Sequence, residues 1–410
     1  MRLLTVSTLY PFSGCERHGV FVETRLRQLR QCYPNVEAKV IAPVPWFPFK
    51  SSYFGEYAKY AGVPDKEVRH GIEVFHPRYA VIPKVGWQLT PFFLRQAITR
   101  KLRELIVDDY IPDLIDGHYF YPDGVAIKHV AGKFRIPFTC TARGTDLNLI
   151  PRYSMPQKEI VSVMEASKHN MAVCGALRNA MIEIGGKPEK ITVLRNGVDL
   201  RLFPFTREEK QRDLRSELGL PKDVTVLLSV GHLTERKGHH LVIDALASLS
   251  KAVLVIAGDG EEAASLKQQV IEAGLSERVI FAGALSQQQL ARYYGAANAL
   301  VLASSREGWA NVLLEAMACG TPVVATNLWG TPEVVAAPEA GVLVERDAAS
   351  IARGIQELLS LPPARLATRR YAEQFSWDET SDAQMKIFEA ILSGKEINRP
   401  VFPGDVKVVS

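Results

Sequence analysis

The sequence predicts two doubly wound α/β domains in tandem, and three observations predict them. From residue 224 onward, short apolar runs bounded by Gly or Asp alternate with longer stretches of helical periodicity, the mark of βαβ units and a parallel sheet. The first 200 residues repeat that rhythm less cleanly. Between the two, Asn196-Gly197 and Pro204 punctuate the pattern and a charged stretch follows at 207–215, which puts one joint at 196–207. At 410 residues the chain can form two domains that each bury a core.

In the first domain, residues 1–200, the segments 3–7, 37–42, 114–117, 138–141, 171–173 and 191–194 are apolar and short, as buried parallel strands are. Segments 20–31, 94–107, 122–131 and 160–167 carry the helical period. Residues 43–91, rich in Pro and aromatics, break the rhythm and are expected to be irregular over one end of the sheet. In the second domain, residues 201–376, strands are expected at 224–230, 253–257, 279–282, 299–303 and 322–325. Helices are expected between them at 238–250, 261–273, 287–295 and 310–319. A last helix at 377–393 is expected to pack back towards the first domain, and 394–410, without periodicity, to form a loose tail. Ligands of such sheets bind at the carboxyl ends of the strands, so a cleft between the two domains is the expected site.

Composition removes several functional classes. The apolar runs fall short of the roughly 20 residues that span a bilayer, and the apolar N-terminus lacks a small-residue cleavage site. A cytoplasmic protein is expected. The five cysteines are never spaced C-x-x-C, which argues against a disulfide framework, a zinc site or a redox centre. No Asp-x-Asp stands in a loop to hold a divalent ion, so no metal and no cofactor is expected. A net charge of +4 is too small to mark a nucleic-acid binder. Its distribution is uneven: residues 1–200 carry 27 Lys plus Arg against 19 Asp plus Glu, or +8, and the remainder 22 against 26, or −4. With Arg95, Arg100, Lys101 and Arg103 in the amphipathic stretch 92–107, the first half is expected to meet an anionic partner, including the inner face of an anionic membrane. A soluble small-molecule acceptor with an indifferent surface charge is the rival expectation.

The chemistry concentrates in residues 304–326, SSREGWANVLLEAMACGTPVVAT. A strand ends, a loop with Glu307 and Gly308 follows, and a helix opens at Ala310, Asn311 and Val312, whose backbone N–H groups suit a phosphate. Glu307 precedes that helix and Glu315 lies about two turns into it, so the two carboxylates address different parts of one ligand. Carboxylates accept hydrogen bonds from hydroxyls, so a ligand with both phosphate and hydroxyls is implied. The loop 231–238, from Gly231 through His232 to Arg236 and Lys237, follows the first strand and brings positive charge to the same sheet edge. Gly258 and Gly260 mark a tight βα turn placed to touch a base or ribose. The acidic residue of a dinucleotide fingerprint is absent from the end of the next strand, which discounts a nicotinamide cofactor.

In this order, these residues resemble the retaining glycosyltransferases of family four, group one, which have the GT-B fold of two Rossmann-like domains. The most specific element is E-x7-E, Glu307 and Glu315. Asn196-Gly-Val-Asp199, the loop 231–238, Gly258-Asp-Gly260, Asp113-Leu-Ile-Asp-Gly-His118 and Arg143-Gly-Thr-Asp146 support it. The resemblance implies transfer of a sugar from a nucleotide diphosphate sugar, a co-substrate rather than a cofactor, to a glycan, lipid-linked or other hydroxyl acceptor with retention. It implies that Glu315 holds the donor ribose, Glu307 the sugar hydroxyls, Lys237 the departing diphosphate, and that His118 lies beside the reacting sugar. Gly19, Arg143 and Asp146 fall on the acceptor side. His232 stands where many relatives have Arg, leaving Arg236 or Arg143 to supply that cation, and Arg143 itself replaces a common His. A non-catalytic GT-B partner subunit and a two-domain ligand-binding protein are the alternatives.

Overall fold

The computed structural model describes residues 1–47, 58–81 and 88–397, which divide into two compact units. One comprises residues 1–196 together with the described residues from Trp377 onward; the other comprises 197–376. The joint thus falls at Asn196-Gly197, at the start of the expected interval. Parts of two expected segments, 48–57 and 82–87 of the irregular stretch and 398–410 of the tail, lie outside the described residues.

The first unit is built on strands β1 (Arg2–Val6), β2 (Glu37–Ile41), β3 (Val44–Pro45), β4 (Lys66–Arg69), β5 (Ile72–Phe75), β6 (Arg78–Tyr79), β7 (Leu114–His118), β8 (Phe138–Ala142), β9 (His169–Ala172) and β10 (Ile191–Val193). Eight of them form one sheet in the order β10-β9-β8-β7-β1-β2-β5-β4, parallel except for β4 against β5. The strand order reverses between β1 and β7, so loops leaving those two strands diverge and leave a crevice at their carboxyl ends. β7 and β8 are buried at every residue, as central strands covered on both faces must be.

Two expectations need correction here. The stretch 43–91 is not wholly irregular: β4 and β5 form a hairpin at the sheet edge, and β3 pairs with β6. His70 and Gly71 sit at the hairpin tip with φ of 49° and 74°, the left-handed pair that a two-residue turn requires. The helix expected at 122–131 begins later, at Val125, after an irregular turn through Phe120–Gly124.

The helix Trp377–Ser393 completes this unit although it is last in the chain. It packs on helix Val20–Cys32, burying Trp377, Met385, Ile387 and Phe388. Gln384, also buried, accepts a hydrogen bond from Arg25 Nε at 2.8 Å and donates to Asp116 Oδ2 at 3.0 Å.

The second unit holds β11 (Thr225–Val230), β12 (Ala252–Ala257), β13 (Val279–Gly283), β14 (Ala299–Leu302), β15 (Val323–Thr326) and β16 (Gly341–Val344). All described pairs are parallel, in the order β13-β12-β11-β14-β15-β16. Counted within the unit this is 3-2-1-4-5-6, the dinucleotide-fold order, with its switch point between β11 and β14. Strand β16 and helices Ala348–Ser360 and Arg365–Ala372 extend the unit beyond the elements read from the sequence. The five cysteines are free.

Candidate functional site

The loops leaving β11 and β14 meet at the switch point of the second unit. Ser305 N donates to Arg236 O at 2.8 Å, tying one loop to the other through backbone. Arg346 clamps both: its Nε donates to Ala303 O and its Nη2 to Glu235 O, each at 3.1 Å. Between these ties, Lys237 Nζ donates to Glu307 Oε1 at 2.6 Å. Ser304 Oγ donates to the same oxygen at 2.7 Å, and Arg236 Nη1 approaches it at 3.4 Å. Burial alone would raise the Glu307 carboxyl, but Lys237 and Arg236, with the Lys237 and Ser304 hydrogen bonds, outweigh it and hold Glu307 below its ordinary value. Glu307 is therefore an anion matched to two cations at one sheet edge. Lys237 reaches it because Gly231 makes room for the lysine stem, whose Cδ and Cε would lie 3.3 Å from a Cβ at that position.

Helix Asn311–Ala318 opens just past this cluster, after buried Gly308 and Ala310, and no side chain caps it. Val312 lies in its first turn. Just over one turn in, Glu315 Oε2 accepts the Tyr294 hydroxyl at 2.8 Å. Its Oε1 accepts no hydrogen bond among the described residues. Burial raises the Glu315 carboxyl to about 7, although Tyr294 pulls the other way. The two glutamates of one motif thus have opposite electrostatics: Glu307 is fixed as a carboxylate and Glu315 titrates near neutrality. Ser304, Tyr294 and Arg346 were not singled out in the sequence; Ser304 alone had a local signal, being three residues before Glu307.

Gly258 and Gly260 stand in the expected turn between β12 and helix Ala263–Glu272, where packing requires both to be bare. A Cβ at Gly258 would lie 1.9 Å from Gly231 O, and one at Gly260 2.4 Å from Leu233 O. Their bareness lets the Gly231 loop lie against their own turn, where Leu233 N donates to Asp259 O at 3.0 Å. His232 is exposed on that loop, and Arg236, beside Glu307, is the cation nearest to it in sequence that the site uses.

In the first unit, His118 ends β7 and Asp116 lies two residues earlier on the same face. Arg143 Nη2 lies 2.6 Å from His118 Nδ1, and since a guanidinium only donates, Nδ1 accepts. The ring proton therefore sits on Nε2, 3.3 Å from Asp116 Oδ2. Burial first, and Arg143 next, push His118 down to about 4, so the ring is neutral. Burial would raise Asp116; the Nε2–H of His118, the Arg25 charge and the Thr139 hydroxyl outweigh it and hold Asp116 below its ordinary value. His118 thus stands where it was expected, at the carboxyl end of a first-unit strand, 1% exposed and with its two ring nitrogens against Arg143 and Asp116.

Asp146 spends both oxygens on backbone, accepting Phe120 N at 3.0 Å, Gly144 N at 2.8 Å and Arg143 N at 3.0 Å, so it holds the loop that carries Arg143. Gly19, at φ 65°, does permit a close approach, but to the chain itself: a Cβ there would lie 2.3 Å from Leu9 C and O. Arg143 remains the half-buried cation at this edge, its guanidinium 5.3 Å from the Phe21 ring centroid and its Nη1 3.4 Å from Asn196 Oδ1.

With this geometry established, the similarities of the chain are specific. Residues 210–375 match the family described as Glycosyl transferases group 1, and residues 36–202 match Glycosyltransferase Family 4. A putative teichuronic acid biosynthesis glycosyltransferase, TuaC, of Bacillus subtilis is 29% identical over 361 residues, 87% of this chain and 88% of that one. The D-inositol 3-phosphate glycosyltransferase of Mycolicibacterium smegmatis is 35% identical over 52% of this chain and 50% of its own. Among solved structures, sucrose-phosphate synthase from Thermosynechococcus elongatus superposes with a TM-score of 0.78 at 20% identity, over 96% of this chain and 100% of that one. Anabaena HepE, in complex with UDP and glucose, superposes with a TM-score of 0.71 at 22% identity, over 95% and 100%.

Proposed function

The chain belongs to the group 1, family 4 glycosyltransferases, of GT-B fold, and from that premise we propose that it is a retaining enzyme using a nucleotide diphosphate sugar and a saccharide or lipid-linked hydroxyl acceptor in polysaccharide or glycolipid assembly. The observation that carries this reading is the Lys237–Glu307–Arg236 cluster at the switch point of a 3-2-1-4-5-6 sheet, next to an uncapped helix start. Dinucleotide folds bind nucleotide phosphates there. Cleaving a sugar–phosphate bond builds positive charge at the anomeric carbon and negative charge on the departing diphosphate. Lys237 and Arg236, with the backbone N–H groups of residues 310–312, meet the second charge without a metal. Glu307, an anion within hydrogen-bonding reach of both cations, takes sugar hydroxyls once phosphate shares Lys237. Glu315 offers its free oxygen to the ribose. UDP in the HepE complex and teichuronic acid biosynthesis in the TuaC name agree with a nucleotide donor and a saccharide acceptor.

The experiment is a transfer assay over a panel of nucleotide sugars in excess chelator, with the anomeric configuration of the product read by proton NMR. Transfer with retention, undiminished by chelator, is expected. An inverted product, or activity restored only by manganese or magnesium, defeats the retaining or the metal-free part of the reading. Turnover of no donor, with the nucleotide still bound, points to the non-catalytic partner subunit.

A further inference from the structure

On the first unit, helices Thr90–Val107 and Val125–Phe134 pack against each other and leave a groove of about 530 Å³. Its walls bear Arg95, Thr99, Arg100 and Arg103 from one helix and His129 and Lys133 from the other. The spacing explains the convergence: 95, 99 and 103 are successive i, i+4 positions, as are 129 and 133. No carboxylate lines the groove. Nearby acids are already engaged, Glu104 with Lys101 and Glu159 with Lys128 at 3.4 Å. Among the described residues, Arg100, Arg103 and Lys133 make no ion pair, and Arg95 has only the face of Phe92, 5.0 Å away. Burial, then Lys128 and Arg95, hold His129 below its ordinary value. Four permanent cations share one concavity whose walls carry no carboxylate, and a concave wall focuses their charge into a positive potential.

We propose that this groove is a phosphate-binding site, separate from the donor site, in which Arg95, Arg100, Arg103 and Lys133 grip a phosphate mono- or diester and Thr99 offers a hydroxyl. Arginine forks match phosphate oxygens in pairs; Arg95 and Arg103 share one helix row with Thr99 between them, and Arg100 lies one turn before Arg103. The phosphate can be free or the headgroup of a lipid, and the chemistry is the same.

The test uses the full chain, Arg95→Gln/Arg103→Gln/Lys133→Gln as the groove variant, and Arg152→Gln/Lys158→Gln/Lys187→Gln as a charge-matched control elsewhere on the same unit. Five of these six side chains are exposed and Arg95 is half-buried, and Gln is a good helix former, so both variants are expected to fold, which a circular dichroism spectrum checks. Inorganic phosphate should raise the NMR titration midpoint of His129 in the wild type and the control and leave it unmoved in the groove variant. Vesicles with and without phosphatidylglycerol form the second arm. Each lost charge weakens binding about fivefold, so the groove variant should lose on the order of a hundredfold in vesicle affinity if a headgroup is the ligand. A phosphate response with vesicle binding assigns the lipid source, and a phosphate response without it assigns a free phosphate. Absence of a phosphate response in the wild type, or equal losses in the groove variant and the control, overturns the site, even where vesicles bind. Nucleotide diphosphate affinity, read in parallel, should match in all three proteins, which separates this result from the donor reading.

Discussion

At Glu307 and Glu315, the same residue type eight positions apart performs two different tasks because burial is compensated at one and not at the other. Lys237 and Arg236 hold Glu307 as a carboxylate, while Glu315, facing only a phenol, rises to about 7. Glu315→Ala should therefore weaken nucleotide diphosphate binding by about 1.5–3 kcal/mol, the range for a hydrogen bond to a charged group. Glu307→Ala should reduce turnover more than nucleotide affinity. Calorimetry with the bare nucleotide decides this, and equal losses would contradict the division. The raised Glu315 value adds a sign: below pH 7 the protonated carboxyl accepts poorly, and above it the carboxylate accepts well. Nucleotide affinity should thus climb as pH passes from 6 to 8, and Glu315→Gln should flatten the profile. The E-x7-E pair was legible in the sequence because its spacing is local. The titration difference was not, since it depends on Tyr294, Ser304 and Lys237, brought in from other elements.

The loops rather than the strands carry the precision at the level of elements. The strands that cross the middle of each sheet could be read from apolar runs alone, because a strand buried on both faces announces itself. The β4–β5 hairpin was missed because β4 is a short, charged edge strand with no buried residue, and its turn signal, His70-Gly71, lay amid prolines and aromatics that suggested irregularity. The glycines show the opposite case: Gly19, Gly258 and Gly260 were visible as glycines, but what each approaches is fixed by contacts with a distant or folded-back backbone. Gly260→Ala tests this. With a Cβ 2.4 Å from Leu233 O, the loop that carries Lys237 must shift, and a loss of about 1–3 kcal/mol of stability is expected from such overpacking. Thermal unfolding of the variant should show a lowered midpoint with or without nucleotide. An unchanged midpoint together with lost nucleotide affinity would point to the ligand contact expected of this glycine.

For the molecule as a whole, chain order and structural membership part company at residue 377. The helix Trp377–Ser393 is an integral layer of the first unit. Burying its Trp377, Met385, Ile387 and Phe388 contributes about 1.5–3 kcal/mol each. Their sum is comparable to the roughly 5–15 kcal/mol by which a domain is stable. Its Gln384 also bridges Arg25 and Asp116, two charges buried at 2% exposure that would otherwise face each other without that link. Thr380 adds a tie to Arg195 O at 2.9 Å and Tyr33 donates to Asp382 at 2.7 Å, both within the same unit. A chain ending at Ser376 keeps every strand of the first sheet, yet loses the layer that covers helix Val20–Cys32. Such a truncation should leave amide protection intact in β11–β16 and abolish it in β1, β7 and β8, read by hydrogen exchange with mass spectrometry. Persistent protection of β1 and β7 would mean that the first unit closes its core without the terminal helix. Gln384→Leu refines the same test: it keeps the apolar contact, removes the bridge, and should lower stability by the about 1–3 kcal/mol that unpaired buried polar groups cost while the sheet stays folded.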